Sequence, residues 1–450
     1  RDVAGLPRPR GGAGPGATPP GDVAGGLAAA LMREADRGSL GAAHLSDALW
    51  AMATSGDGER AHRAIPLLAD RLIGRASDLD APSLARALWA AAILSEEAPV
   101  IHTTLPALSA RLVRTAHGME GTDAGMALCA LAALRAGFAA TSLLVGPMAE
   151  LLADRFLEGE SDMEPWVLAN LFWTLTMIRF DEDRLSALLR VLLERAERAV
   201  DDLDAQSACL ILWSIATTQR RAAEDGTAAS YETSRLLPSL MGRVRETAAD
   251  VTPTEASAAV WALGALRGGA TGAGQLLSAL RVDLACALDA MDLAEASLAL
   301  WGMAVLGHRD EELLDVAAER ALELERTSAM RVLAAALPRV SWALAVLDFE
   351  HTVLLRTVAD RFSPTGGALR YLRPESFHAL LWAYRKTDVG LKFGVFRKAL
   401  EAKLLYWLRT RLDYVAIDPR TPEKQKYSRM LDAVVELGRF GPDTRQCKRE

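Results

Sequence analysis

The side chains that most often act as nucleophiles, bases or metal ligands are few here and poorly spaced for joint work. Seven histidines stand at 44, 62, 102, 117, 308, 351 and 378, and four cysteines at 129, 209, 286 and 447. No histidine has another histidine or a cysteine at ligand spacing, and no Cys-x-x-Cys pair occurs. The cysteines lie 80, 77 and 161 residues apart, which fits reduced thiols and not a disulfide framework. Cys129, Cys209 and Cys286 are expected as small core residues. His308-Arg309-Asp310 imitates a kinase catalytic loop, which also needs an Asn five residues after the Asp and a Lys upstream on a strand. Position 315 is Asp and no lysine precedes Lys386, so this tripeptide is expected to be a turn between two helices. GxxxxGK, HExxH and GxSxG are absent. The expectation is a chain that is not an enzyme and needs no metal, cofactor or small-molecule substrate.

Ionic recognition is the chemistry left. Residues 386–450 carry 15 Lys+Arg against 9 Asp+Glu, leaving 36 against 49 for residues 1–385. An acidic body with a basic tail is not a general polyanion binder, so any RNA contact must use local arginine patches or the tail. In the tail, Lys386, Lys392, Arg397, Lys398, Lys403, Arg409 and Arg411 alternate with Phe393, Phe396, Tyr406 and Trp407. Interleaved cations and aromatics can hold phosphates and stack bases. The competing reading packs the aromatics inward and leaves the cations solvated. A second cluster, Lys424, Lys426, Arg429, Arg445, Lys448 and Arg449, extends the basic surface.

The elements that must position these groups repeat. A motif of small residues around Leu-Trp-Ala recurs at Trp50, Trp89, Trp173, Trp213, Trp261, Trp301, Trp342 and Trp382, with Cys129 in the tryptophan slot of the third unit. Successive anchors lie 39, 40, 44, 40, 48, 40, 41 and 40 residues apart, and eight of the ten tryptophans share this register. Each unit holds an apolar anchor helix, A, and an amphipathic helix, B. In the fourth unit helix B reads DEDRLSALLRVLLERAERAV, with a leucine stripe on one face and Arg190, Glu194 and Arg198 on the other. Asp80 before Ala81-Pro82, Thr252 before Pro253, and Asp183 before Arg184 read as helix starts. One helical hairpin cannot bury its apolar face alone, but stacked neighbours close a continuous core.

The predicted fold is therefore all-α. It is an α-solenoid of about nine two-helix repeats over residues 27–386, with a basic helical cap and tail over 387–450. Cap helices are expected near 391–411 and 422–438. The longer third and fifth spacings predict loop insertions at 159–164 and 220–230. Cys129 predicts a looser junction than its neighbours. Residues 1–26 hold 8 Gly and 5 Pro and read as a flexible lead. It fits what is left after a targeting peptide, or simply where the sequence starts; Asp2 and Asp22 argue against its being a transit peptide itself. The longest apolar runs reach about a dozen residues against about 20 for a membrane span, so no span is expected.

At these LWA-like cores the chain resembles the octotricopeptide repeat family over nine units, roughly residues 40–410. The PPPEW-like segment of many members is reduced here to Met163-Glu164-Pro165-Trp166, and no RAP-like end follows. The resemblance implies organellar RNA binding to a transcript or rRNA, a place in an organellar ribosome or other ribonucleoprotein, and a mitochondrial rather than a chloroplast address. Helical-repeat RNA readers present one or two side chains per unit to the ligand. By that analogy, positions three and six before each anchor are the candidate readers. Position minus three offers Arg86, Asn170 and Arg339, beside Asp47. Position minus six offers His44, Ser83, Asp123 and Ser207, while Glu255 and Glu295 would repel phosphate. A second function stays open: a scaffold that binds neighbouring proteins of a large complex without touching RNA. The net −13 of residues 1–385 and the long faces of solenoids favour it.

Overall fold

The structure is a computed structural model. It describes residues 33–414, less 35–36, 56–57, 96–97, 138–141, 159–162, 179, 181, 226–235, 267–275, 279 and 364–367. The expected flexible lead at 1–26 and the helix at 422–438 lie outside the described residues. Among those described there is no strand. The odd-numbered helices carry the anchors: α1 (Ala42–Ser55), α3 (Ala81–Leu94), α5 (Gly121–Gly137), α7 (Pro165–Met177), α9 (Ala205–Asp225), α11 (Pro253–Ala265), α13 (Leu293–Leu306), α15 (Met330–Val346) and α17 (Pro374–Lys386). Even-numbered helices are the amphipathic partners: α2 (Gly58–Arg75), α4 (Leu105–Thr115), α6 (Ser142–Glu158), α8 (Glu182–Ala199), α10 (Leu236–Glu246), α12 (Arg281–Ala290), α14 (Glu311–Glu325) and α16 (Thr352–Arg361). A short α18 (Asp388–Leu391) and the long α19 (Gly394–Tyr414) follow.

The chain groups into two compact units. The N-terminal unit runs to Thr218 and takes in the segment ending at Ser239; the C-terminal unit has 219–228 and everything from Leu240. In the N-terminal unit α1, α3, α5 and α7 pack side by side in chain order. In the C-terminal unit α11, α13, α15 and α17 do the same, and α19 lies against α17. The B helices form a second layer, with α12 against α14 and α14 against α16. The all-helical, solenoid-like repetition expected from the anchors is therefore present within each unit.

Local chemistry explains the recurrence. Asp80 accepts the Ser83 N–H at 3.0 Å and Thr252 caps α11, as their helix-start signals predict; Glu255, read from the sequence as a phosphate-repelling position, closes a capping box with Thr252. Asp292 and Glu295 repeat the box on α13. Helix α8 begins at Glu182 rather than after Asp183. Hydroxyls inside the apolar helices bond back one turn: Thr174 to Asn170 O at 2.8 Å, Ser214 to Leu210 O at 2.7 Å, and Ser341 to Leu337 O at 2.9 Å. Four residues before the anchor, a serine also reaches the next A helix: Ser46 to Ser83 O at 2.6 Å, and Ser257 to Glu295 O at 2.8 Å. On the B layer, Arg111 and Arg320 donate to Leu79 O and Met291 O, each just before an A-helix N-cap. Ion pairs join successive B helices, Arg184 to Asp154 at 3.1 Å and Arg281 to Asp310 at 2.5 Å.

Small residues let the anchor helices approach. A Cβ built on Gly302 of α13 would stand 2.7 Å from the Val260 carbonyl carbon, and one on Gly264 would stand 2.9 Å from Gly302 Cα. Those two helices therefore touch backbone to backbone. The third unit, expected to be loose at Cys129, is filled in another way. Cys129 is 1% exposed with Thr174 as a hydrogen-bond partner, and Leu171 of α7 packs at Gly125. Burial pushes the Cys129 thiol up to about 12. Cys209 is buried as expected, but Cys286 is exposed. It stands two residues, about 200° of helix, from buried Leu284 and Leu288, which puts it on the wet face of α12. The insertion expected at 220–230 is also revised, because residues 220–225 continue α9 as helix. His308-Arg309-Asp310 forms the expected turn: Gly307 ends α13 at φ 66, and Asp310 caps α14.

Candidate functional site

In four units the position six before the anchor is a capping position. Ser83, Ser207, Glu255 and Glu295 each donate a backbone N–H to an N-cap side chain. Glu255 and Glu295 return their carboxylates to the cap backbone, so helix initiation accounts for these acids. Position minus three faces the neighbouring helix. Arg86 is held at 2.9 Å from Asp47, the same position one unit earlier. Asn170 is 3% exposed and faces protein instead of solvent. Arg339 is half-buried and donates to Ser297 Oγ on α13 at 2.9 Å.

The tail separates into two faces. Phe396 is buried and meets the Tyr384 ring edge-on with centroids 5.0 Å apart; Phe393 does so at 6.0 Å. Tyr384 itself is fully buried and donates its hydroxyl to Leu355 O. Arg385 and Glu401 pair at 3.2 Å and tie α19 to α17. The phenylalanines thus pack inward and do not alternate with the cations on one surface. Lys392, Lys398 and Lys403 are exposed, and among the described residues none has a carboxylate within ion-pair distance. Val395 and Tyr406 share this outer surface at 84% and 70% exposure. Arg397 is half-buried and bonds Leu391 O at 3.2 Å. Lys386 pairs with Asp348 at 3.0 Å and lies 5.3 Å over the Trp382 ring. Arg409 and Arg411 fall on α19, but their side chains are outside the described residues.

The anchors divide by exposure. Trp89, Trp173, Trp213 and Trp261 are buried. Trp50, Trp301, Trp342 and Trp382 are half-exposed. In the N-terminal unit Trp166, seven residues before its anchor, meets Trp50 at 5.6 Å and Trp89 at 5.8 Å between ring centroids. In the C-terminal unit the rings pair in register, Trp261 with Trp301 and Trp342 with Trp382, each at 6.2 Å. Arg220 stands 5.8 Å over Trp261 and is close enough to Arg339 for the two charges to repel. Burial first, and then that repulsion, lowers the Arg339 pKa. Sequence reasoning missed Arg220. It lies seven residues after Trp213, on the same helical face, but only once α9 is known to continue.

The architecture is that of an all-helical protein built from repeated helical hairpins. No family model matches the chain, and no curated protein does. Among solved structures, one similar chain belongs to a homology model of the full-length AP-3 complex in an intermediate open conformation. It shows 13% identity and a TM-score of 0.31, covering 93% of this chain and 88% of that one. Among the described residues, no helix is long and apolar enough to cross a membrane.

Proposed function

We propose that this chain is a non-catalytic, RNA-associated helical-repeat protein of an organelle, mitochondrial rather than chloroplast. Its repeats form an α-solenoid of about nine units, and it serves as a structural or assembly component of an organellar ribosome or another ribonucleoprotein. The carrying observation is the group Lys392, in the turn before α19, with Lys398 and Lys403 on it, all three exposed and, among the described residues, without a carboxylate partner. Residues 1–385 carry 36 basic against 49 acidic groups, so an unpaired lysine row stands out as the place where phosphate is attracted and not repelled. The octotricopeptide-like repeat supports RNA as the source of that phosphate. Replacing Lys392, Lys398 and Lys403 by Glu should weaken RNA binding and reduce its salt slope by about 3, roughly one per phosphate contact. Unchanged affinity and slope in that triple variant would remove α19 as the contact.

A second reading has its own observation. Val395 and Tyr406 are exposed on the same helix, and an apolar and aromatic surface also suits a protein neighbour. In that reading the chain is a scaffold subunit of a large organellar complex, and its partner stays bound after RNase treatment.

A further inference from the structure

In the N-terminal unit one aromatic contact runs across the repeat instead of along it. Trp166 stands in the first turn of α7. Its ring lies 5.6 Å from that of Trp50 on α1 and 5.8 Å from that of Trp89 on α3, centroid to centroid. The A helices of this unit pack in chain order, α1 on α3, α3 on α5 and α5 on α7. Packed helices lie about 8–10 Å apart, axis to axis, so a flat layer would hold α7 about 24–30 Å from α1. This layer is therefore curled, and Trp166 closes it on the inner side, over the anchors of the first two units.

The closed arrangement leaves a cost standing. Trp89 is 0% exposed, and its indole N–H has no hydrogen-bond partner among the described residues. A buried donor without an acceptor keeps its full desolvation penalty, which offsets part of what the ring contacts contribute. The mounting of Trp166 is also weak. Asp80, Thr252 and Asp292 each give the first turn of their own helix a side-chain capping bond. Glu164, the N-cap of α7, gives none, and a first turn without that bond frays more readily. Trp166 itself is half-exposed, as is Trp50. A half-exposed ring on an uncapped turn, laid over a buried orphan donor, belongs to the low-stability end of a structure.

We propose that Trp166 is a gate on the inner face of the N-terminal unit. Closed, its indole covers Trp50 and Trp89. Open, the first turn of α7 unwinds and carries the ring away, uncovering the Trp50 face and the Trp89 N–H together. Any ligand of this inner face must displace Trp166 first, whichever of the two functions above holds. The competing role is a permanent core residue, which opens only when the unit unfolds.

The test is hydrogen exchange of the Trp89 indole proton in the full, isotope-labelled chain, followed by nuclear magnetic resonance and assigned with Trp89→Phe. The backbone amides of α3 around Trp89 are the internal reference. Through the gate the indole proton exchanges by local opening, about tenfold or more faster than those amides. Glu164→Asp supplies the missing cap. It should slow the indole proton about fivefold, protect the first-turn amides of α7 and leave the α3 amides unchanged. Trp166→Leu should speed the indole proton about tenfold. Exchange at the rate of the α3 amides would overturn the gate and make Trp166 part of a permanent core. Fast exchange that a formed cap in Glu164→Asp does not slow would overturn it too, because opening would then not run through α7. If Trp166→Leu also strips the α3 amides of protection, that variant reports unfolding, and Glu164→Asp decides alone.

Discussion

Replacing Gly302 by Ala tests what sets the spacing of the anchor helices. An Ala Cβ there would meet the Val260 carbonyl carbon at 2.7 Å and the Trp261 nitrogen at 3.0 Å. Both are backbone atoms of α11 and cannot rotate away, so the two helices must separate. Overpacking of this kind costs about 1–3 kcal/mol, and rigid backbone on the far side argues for the upper end. Alanine regains about 1 kcal/mol of helix propensity, leaving a net loss of about 2 kcal/mol. For a unit of this size that lowers the melting temperature by roughly 4–8 °C. Gly242 of α10, in the same unit, is the control: a Cβ there meets nothing within 4 Å. Gly242→Ala should therefore gain about 1 kcal/mol, a rise of roughly 2–4 °C. Thermal unfolding followed by tryptophan fluorescence reads both, with the Trp261–Trp301 pair as a local reporter. Hydrogen exchange over α11 and α13 locates the change. If both alanines raise the melting temperature alike, backbone approach does not set the spacing and the account of the small residues beside each tryptophan is wrong.

Three further outcomes follow from the same physics. Asp80→Ala should cost about 1 kcal/mol by removing the cap on Ser83 N, and Asp80→Asn much less. Hydrogen bonds from Ser83, side chain first and then backbone, hold the Asp80 carboxyl below its ordinary value. Its contribution is therefore present above the unfolded pKa and lost as pH falls through the lower folded one, so urea midpoints of native protein and Asp80→Ala should converge in acid. Iodoacetamide at mildly alkaline pH should label Cys286 in the folded chain and spare Cys129, whose thiol is pushed up to about 12; equal labelling would contradict the packing of the third unit. Trp166→Leu should destabilise the N-terminal unit by about 1–3 kcal/mol through two lost ring contacts, and a double-mutant cycle with Trp50→Leu should show coupling of about 1 kcal/mol. Strict additivity would place Trp166 outside the cluster.

Much of the fold was legible because each repeat carries its own instructions. Thr252 before Pro253, and Asp80 before Ala81-Pro82, name a helix start by hydrogen-bond chemistry that needs no tertiary context. The anchors name the repeat register, although half of the eight tryptophans keep some exposure. Faces were harder. Asn170 looked like a reader because it is polar at a recurring position, yet that position meets the adjacent helix, and only packing decides this. Cys286 was assigned to the core by residue type, although the leucine stripe of its own helix puts it on the opposite side. Arg220 was missed because residues 220–230 read as a loop insertion. No Gly or Pro interrupts that stretch before Gly226, so a signal for continued helix was available. The tail showed the reverse error: cations and aromatics alternate along the sequence, but Phe393 and Phe396 pack on Tyr384 while Lys392, Lys398 and Lys403 stay exposed.

The most direct test of the central claim is purification of the native protein from organelles with and without RNase, followed by sequencing of bound RNA and mass spectrometry of bound protein. Association with RNA through the basic region around α19 predicts one defined rRNA or transcript segment, released by high salt. Partners that persist unchanged after RNase, with no enriched RNA, would contradict it and establish the chain as a protein scaffold.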